Sequence, residues 1–237
     1  MRKIGLFGLS GNPPHQGHLE MATNLHDVFH CEEVWMLVTP FNPLKGPGEY
    51  ASLEDRVALC ELLAAGYDWL KPTDLEKDLD STYTVNTLRV LRERYPDYEF
   101  IWSMGKDNVH SFDRWQDWKT ILAYHPMVLF DRPEYDDISA CPAFVYAQQN
   151  GLVSDNNDDH NGHLELGFHF CHNIEIATSS TDIRKELLRD RNKCPDGLPQ
   201  ELYQYIISRG LFLPKTEQQL QLQSTNPKAA PQNSLII

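Results

Sequence analysis

The chain of 237 residues has no cluster of basic residues and no long apolar run, and each absence excludes a class of protein. Its 21 Lys and Arg residues stand against 34 Asp and Glu, which gives a net charge of −13 with His neutral. Phosphate backbones and anionic lipid surfaces attract basic patches, so we expect neither a nucleic-acid partner nor a membrane partner. The apolar stretches, such as 34–38, are strand-length and far short of the ~18 residues of a membrane span.

Cysteine is scarce and without pattern: there are five residues, an odd number, and no two form a CxxC pair. Scattered thiols without a framework are typical of a reducing compartment, so we expect a cytoplasmic protein. Residues 1–15 contain Gly, Ser, Asn and Pro, which interrupt the apolar region that a signal peptide needs. They predict a buried first strand instead.

Short apolar β-rich runs alternate along the chain with segments of helical periodicity, which is typical of α/β proteins. We therefore predict a Rossmann-like, doubly wound parallel sheet with helices on both faces. The predicted strands are 3–7, 33–39, 99–103, 127–130 and 173–176. The predicted helices are 19–29, 53–65, 84–94, 115–123, 181–189 and 200–208.

The composition divides the chain into one domain over residues 1–213 and a tail over 214–237. The tail is rich in Gln, Ser, Asn and Pro, with little apolar periodicity, and we expect it to be flexible. The polar, turn-rich segment that begins at residue 150 predicts a loop insertion over about 150–170 within the domain.

The first predicted strand leads into a glycine-rich turn that has neither GxGxxG nor the Lys-Ser/Thr of a P-loop. The turn instead carries His15 and His18, three residues apart across Gly17, at the start of an apolar helix. Backbone amides of such a turn and imidazoles at this spacing can face one bound phosphate. A metal pair with Glu20 and a purely structural pair are the alternatives. The coincidence of strand, glycine turn and helix start favours the phosphate.

The stretch GLFGLSGNPPHQGHL resembles the first motif of the nucleotidyltransferases with an HxGH signature. Within that family the chain is similar to the nicotinate (nicotinamide) mononucleotide adenylyltransferases of NAD synthesis. The further stretches that carry this resemblance are NPLK at 42–45, STYT at 81–84 followed by Thr87, MGKDNVHSFDRWQDWKTIL at 104–122 and SSTDIRKEL at 179–187. The resemblance implies transfer of AMP from ATP to nicotinate mononucleotide, giving deamido-NAD and pyrophosphate.

The resemblance also implies roles for individual residues, and the residue types fit those roles. His15 and His18 would be catalytic donors, the capped helix start at Ser179 an anion site, and Asp107 a ribose contact. The expected ATP contacts are Gly8, Leu9, Ser10, His15, His18, Gly105, Asp107, Ser179, Ser180, Thr181 and Arg184. The expected acceptor contacts are Asn12, Lys45, Tyr83, Thr84 and Trp115, and Thr87 would offer a further hydroxyl. We expect Trp118 to pack in the core instead. ATP would enter as its Mg²⁺ complex, and we expect no metal site formed by the protein itself.

The chain departs from the family pattern at Gly11, where similar enzymes usually have an aromatic residue. Without that side chain beneath the turn, we expect a more mobile loop. Several alternatives stay open: nicotinamide mononucleotide as the acceptor, giving NAD; another HxGH transferase; and a nucleotide-sensing module without turnover. A metal-binding module on the histidines of residues 158–172 is a further alternative, although their spacing matches no zinc template. The sequence is compatible with a monomer and with a homo-oligomer.

Overall fold

The strands of this computed structural model follow the predicted alternation with helices. The model describes residues 1–40, 50–79, 83–131, 137–154, 163–172 and 178–213. The strands are β1 (Arg2–Leu9), β2 (Glu33–Val38), β3 (Leu70–Thr73), β4 (Tyr98–Gly105), β5 (Pro126–Phe130), β6 (Val153–Ser154) and β7 (Gly167–Cys171). The helices are α1 (Gln16–Asp27), α2 (Leu53–Ala64), α3 (Thr84–Arg94), α4 (Val109–Phe112), α5 (Trp118–Tyr124), α6 (Pro142–Gln149), α7 (Ser180–Arg189) and α8 (Gln200–Ser208).

Within the described residues the seven strands form one parallel sheet in the order β3-β2-β1-β4-β5-β7-β6. The chain moves outward from β1 to β3, then returns to β4 on the other side of β1. The strand order therefore reverses between β1 and β4, and the register there pairs Phe7 with Ser103. In open parallel sheets the crevice beyond the carboxyl ends at such a reversal is where ligands bind.

β1 buries both of its faces, as a central parallel strand must. Side chains alternate along a strand, so Ile4 and Leu6 join one core cluster while Phe7 and Leu9 join the other. The cluster of Phe7 and Leu9 contains side chains of α1, α2, α7 and α8, and the cluster of Ile4 and Leu6 contains side chains of α3, α4, α5 and α6. The sheet is thus covered by one helical layer on each face, and the predicted fold class is confirmed.

The predicted strands at 3–7, 33–39, 99–103 and 127–130 and all six predicted helices are present. The helices α3 and α8 have the predicted bounds, and the other elements have shifted ends. α1 begins at Gln16 rather than residue 19, because His15 is the N-cap residue. α5 begins at Trp118 rather than residue 115, because Asp117 has a φ of 48°, a left-handed conformation that no α-helix continues through.

Three strands, β3, β6 and β7, and two helices, α4 and α6, were not predicted from the sequence. β3 contains Pro72, which a strand tolerates here because β3 lies at the edge of the sheet. β6 lies inside the range 150–170 of the expected loop insertion and β7 overlaps its end, so this range contributes two strands to the sheet. β7 is missed because its sequence, GFHFC, is short and interrupted by His169. α6 begins with Pro142, a favoured first helical residue.

The strand predicted at 173–176 and the tail at 214–237 lie outside the described residues, and the division into domain and tail stays a prediction. None of the helices in the described part of the chain is long and apolar enough to cross a membrane.

Candidate active site

The glycine-rich turn after β1 is bound by Arg56 of α2 and by Ala51, which lies two residues before α2. The Arg56 guanidinium donates to the carbonyl oxygen of Ser10 at 2.7 Å, and the Ala51 backbone N–H donates to Asn12 Oδ1 at 3.0 Å. Asn12, an expected acceptor contact, is fully buried, with its side-chain oxygen engaged in this way. The turn therefore keeps its shape through contacts with a segment that lies about 40 residues further along the chain.

Gly11 is packed tightly in this turn. Its φ is +59°, and a Cβ placed on it would lie 3.0 Å from Cys60 Sγ and 3.5 Å from the Arg56 carbonyl oxygen. The space beside Gly11 is thus taken by α2. The mobility expected for this turn stays a prediction, and the packing against α2 opposes it.

His15 and His18 lie together at the start of α1, as their spacing predicts. His15 is the buried N-cap residue and His18 the third helical residue, and their ring centroids are 3.9 Å apart. The His15 backbone N–H donates to His18 Nδ1 at 3.2 Å. Because Nδ1 accepts this bond, the neutral His18 imidazole carries its proton on Nε2, which makes Nε2 a hydrogen-bond donor. Phe7 stacks beside the His18 ring and holds its plane.

The N-terminus of α7 lies against the same turn. Ser180 Oγ donates to the Pro13 carbonyl oxygen at 2.8 Å, and Arg184 Nη1 donates to the Asn12 carbonyl oxygen at 2.7 Å. Ser179 is the N-cap residue, and its Oγ accepts from the Asp182 backbone N–H at 3.1 Å. The structure therefore brings together the two segments that were expected to bind phosphates. Thr181 follows in the first turn of α7 and accepts weakly from Arg184 at 3.4 Å.

Gly8 and Leu9 end β1 and differ in exposure. Leu9 is buried, whereas Gly8 is exposed although β1 lies inside the sheet. A Cβ on Gly8 would meet the Trp102 ring at 3.5 Å, which is ordinary van der Waals contact. An exposed backbone at this position marks the floor of the crevice between β1 and β4.

Gly105 and Asp107 lie at the carboxyl end of β4, as expected for contacts with a nucleotide. Between them, Lys106 Nζ forms an ion pair with Asp131 Oδ1 at 3.2 Å, and Asp131 is also bound by His172 Nδ1. Burial opposes the charge of Asp131, but the hydrogen bonds from His172 and Lys106 lower the pKa of this carboxyl below its usual value. These three side chains connect the carboxyl ends of β4, β5 and β7.

Three of the expected acceptor residues, Tyr83, Thr84 and Trp115, lie on the side of the helical layer that contains α3, α4 and α5. Tyr83, 56% exposed, is the N-cap residue of α3, and Thr84 is the first residue of that helix. Trp115 is half-buried against Phe112, with ring centroids 5.3 Å apart in an edge-to-face arrangement. The crevice thus has the histidine turn on one side and the start of α3 on the other. Trp118 packs on Phe112 and Tyr146, which agrees with the core role expected for it.

Thr87 was expected to offer its hydroxyl to the acceptor, and this expectation is wrong. It is fully buried and donates at 2.9 Å to Glu76 Oε1. Burial raises the pKa of Glu76 above its usual value, and the hydrogen bond from Thr87 offsets only part of this rise. The pair anchors the first turns of α3 to the short 3₁₀ helix Leu75–Asp78.

Lys45, the remaining expected acceptor contact, lies outside the described residues. So do residues 158–162 of the histidine-rich segment. The described histidines of that segment have other partners: Glu99 for His163 and the Glu165 carbonyl oxygen for His169. Among the described residues no three His, Cys, Asp or Glu side chains form a group that could hold a metal ion.

Arg56, Glu76 and Gly197 are the residues of this region that sequence reasoning missed. The Gly197 carbonyl oxygen accepts from the Gln16 backbone N–H at 2.9 Å, and a Cβ there would clash with Thr178. The sequence offers one indication that Arg56 is buried: it is a charged residue among the apolar residues on the buried side of α2. The sequence carries no signal for the carbonyl oxygen of Gly197.

A doubly wound parallel sheet, with its strand reversal beside a glycine turn and with helix N-termini facing that turn, is the architecture of Rossmann-like nucleotide-binding proteins. Comparison with known proteins specifies the class further. The cytidylyltransferase-like family model matches residues 7–186. The probable nicotinate-nucleotide adenylyltransferase of Agrobacterium fabrum is 46% identical over 130 residues, covering 55% of this chain and 69% of that protein. Its counterpart of Brucella suis is 35% identical over 192 residues, covering 78% of this chain and 96% of the relative.

Solved structures agree on the fold. A Plasmodium falciparum nicotinic acid mononucleotide adenylyltransferase in complex with NaAD superposes with a TM-score of 0.70 at 15% identity, covering 90% of this chain and 98% of that one. A Vibrio parahaemolyticus protein described as a putative nicotinate-nucleotide adenylyltransferase superposes with a TM-score of 0.58 at 19% identity, over 90% and 96% of the two chains. The chain belongs to the cytidylyltransferase-like family and, within it, to the nicotinate-nucleotide adenylyltransferases. It is a nucleotidyltransferase enzyme.

Proposed function

We propose that the chain transfers the adenylyl group of ATP to nicotinate mononucleotide, forming deamido-NAD and pyrophosphate. The observation that carries the proposal is the convergence of two anion-binding elements at one edge of the sheet. The turn before α1 and the N-terminus of α7 are joined by the bonds from Ser180 to Pro13 and from Arg184 to Asn12. Helix N-termini with free amides favour anions, and two of them can share one triphosphate.

The reaction needs no protein nucleophile. A phosphate oxygen of the acceptor attacks the α-phosphorus of ATP in line, the new P–O bond forms, and the bond from the α-phosphorus to the bridging oxygen breaks. Pyrophosphate leaves with that electron pair. Catalysis then rests on positioning the reactants and on stabilising the charge of the transferred group. His18 Nε2–H is the donor placed for that purpose, and His15 assists beside it.

ATP would bring Mg²⁺ as part of the substrate. Mg²⁺ on a triphosphate needs few or no protein ligands, because the phosphate oxygens and water coordinate it. The bound ion would neutralise part of the triphosphate charge. Ser179, Ser180, Thr181 and Arg184 would contact the β- and γ-phosphates, while Gly105 and Asp107 would contact the ribose.

The acceptor would lie on the α3 side of the crevice. The exposed Tyr83 and the positive end of the α3 dipole suit the negative carboxylate of a nicotinate ring, and Trp115 offers an aromatic face to the ring. This preference for a carboxylate over a carboxamide is supported by the names of the curated relatives. A cytoplasmic location also belongs to the proposal, supported by five cysteines that form no disulfide.

The test is pyrophosphate release with ATP and Mg²⁺, with nicotinate and nicotinamide mononucleotide offered separately. We expect kcat/KM to be at least tenfold higher for the nicotinate acceptor. A higher value for the nicotinamide acceptor would reverse the acceptor assignment. Absence of pyrophosphate release with both acceptors, while an ATP analogue still binds, would overturn the proposal in favour of a nucleotide sensor.

A further inference from the structure

Arg56 is a buried cation that touches three separate segments at the carboxyl edge of the sheet. Only 2% of it is exposed. Its Nη1 donates to the carbonyl oxygens of Ser10 and Thr39, both at 2.7 Å, and its Nη2 donates to that of Pro40 at 2.9 Å. Its Nε donates to the Ala51 carbonyl oxygen at 3.2 Å. One guanidinium therefore connects the turn after β1, the end of β2 and the segment that precedes α2.

This charge lies where elementary electrostatics disfavours it. Arg56 is the fourth residue of α2, close to the positive end of the helix dipole, and burial lowers the pKa of its guanidinium. None of the ion pairs among the described residues includes it. The adjacent carboxylate of Asp55 is bound to Arg209 and Tyr205 instead. Four of the five N–H donors of Arg56 bond to carbonyl oxygens, but no carboxylate in the described part of the chain forms an ion pair with it.

The position of the carbonyl oxygens explains what this cation can do. Ser10 belongs to the turn expected to bind phosphate, and Thr39 and Pro40 begin the segment that leads to Lys45. One planar side chain therefore sets the spacing between the backbone of the turn after β1 and the backbone of the segment after β2. A triphosphate above the turn would meet a positive charge beneath it, in a chain whose net charge of −13 otherwise repels the ligand.

We propose that Arg56 is a positioning residue for adenylyl transfer, which sets the distance between the phosphate-binding turn and the segment after β2 and adds a buried positive charge below the phosphates. This inference rests on the proposed function. Arg56 does not touch the reacting atoms and acts through the backbone of Ser10, Thr39 and Pro40. A lysine keeps the charge but has no fork that reaches three carbonyl oxygens together.

The experiment compares Arg56→Gln and Arg56→Lys with a matched control, Arg209→Gln. Arg209 also binds the start of α2, through Asp55 at 3.0 and 3.1 Å, but does not contact the turn. The measurements are KM for ATP, kcat, binding of an α,β-methylene ATP analogue by calorimetry, and the thermal midpoint. We expect Arg56→Gln to raise KM for ATP and the Kd of the analogue at least tenfold and to lower kcat. Arg56→Lys should recover much of the analogue affinity while kcat stays at least fivefold reduced.

The control should lose thermal stability and keep KM, kcat and the Kd of the analogue. If Arg56→Gln does not fold, Arg56→Lys decides alone: unchanged kcat would show a purely structural residue and overturn the inference. Equal changes in KM for Arg209→Gln would overturn it as well. If the wild-type chain releases no pyrophosphate, the proposed function fails, and the analogue affinities of the variants still decide whether Arg56 supports the phosphate site.

Discussion

The guanidinium of Arg184 donates a 2.7 Å hydrogen bond to the carbonyl oxygen of Asn12, a residue 172 positions earlier in the chain. The same Nη1 also bonds the Ser180 carbonyl oxygen of its own helix at 3.2 Å. Arg184 thus ties the first turn of α7 to the turn after β1, and the two expected phosphate sites form one unit. A triphosphate bound between the turn after β1 and the N-terminus of α7 would lie close to the Arg184 guanidinium.

Replacing Arg184 by Met should weaken ATP binding more than it slows the chemical step. Charge-assisted hydrogen bonds are worth about 1.5 to 3 kcal/mol, which corresponds to a rise in KM for ATP of about ten- to a hundredfold. Lys185→Met is the control, because Lys185 is exposed and paired only with Asp182 among the described side chains. Steady-state kinetics with ATP varied at saturating acceptor measures the effect. A KM equal in both variants would remove Arg184 from the phosphate site.

His18→Ala should reduce kcat while leaving ATP affinity nearly intact. Loss of a preorganised donor to developing charge costs about 2 to 4 kcal/mol, or about 30- to 1000-fold in rate. His26→Ala, at the other end of α1 and stacked on Trp69, serves as control for loss of a helical imidazole. Rapid-quench measurement of the first turnover, together with calorimetry of an ATP analogue, separates the two effects. A variant as fast as the wild type would exclude the donor role.

Gly11→Ala should destabilise the fold more than the same change at Gly66. Both glycines have positive φ, which costs alanine about 1 to 2 kcal/mol, but only Gly11 has Cys60 Sγ at 3.0 Å from the added carbon. Nothing lies within 4 Å of the corresponding position at Gly66. Overpacking adds about 1 to 3 kcal/mol, so the free energy of unfolding should fall by about 2 to 5 kcal/mol at Gly11. Urea denaturation of both variants gives the comparison, and equal losses would contradict the packing of Gly11 against α2.

His125 should make the protein less stable as the pH falls below 6.5. Burial, the charge of Arg92 and a partly compensating backbone hydrogen bond with Phe100 lower the pKa of His125 from 6.5 to about 4. The unfolded chain then takes up a proton below pH 6.5 that the folded chain refuses until about pH 4. Stability from this group is therefore complete above pH 6.5 and declines toward pH 4, by about 3 kcal/mol at most.

The measurement is the free energy of unfolding of wild type and His125→Gln at pH 7.5 and pH 4.5. The difference between the two pH values should be smaller in the variant by about 2 to 3 kcal/mol. His163→Gln, which alters an exposed histidine, should keep the dependence of the wild type. A variant with the full dependence would show that His125 is not held neutral in the folded chain.

Local sequence was sufficient for most elements. The apolar residues of β1 and β4 and the periodicity of α2 and α8 are properties of neighbouring residues, so the predicted ranges lie close to the observed ones. The prediction of an element fails where the conformation or sheet position of a single residue determines it. Asp117 stops α5 from starting at Trp115 through its left-handed backbone, and Pro72 conceals a strand that is tolerated only because β3 is at the edge. Conformations and sheet positions of this kind depend on partners distant in sequence.

The sequence by itself determined the fold class, the position of the histidine turn at the end of β1 and the capped start of α7, because periodicity, glycine placement and helix caps are local patterns. Only the tertiary structure decided that α2 fills the space beside Gly11, that Thr87 is bound to Glu76 and that Arg56 and Arg184 hold the same turn from two directions. The physical reason is that these contacts end on backbone carbonyls or on buried partners. Every residue has a carbonyl oxygen, so which one a guanidinium reaches follows from how the chain is folded.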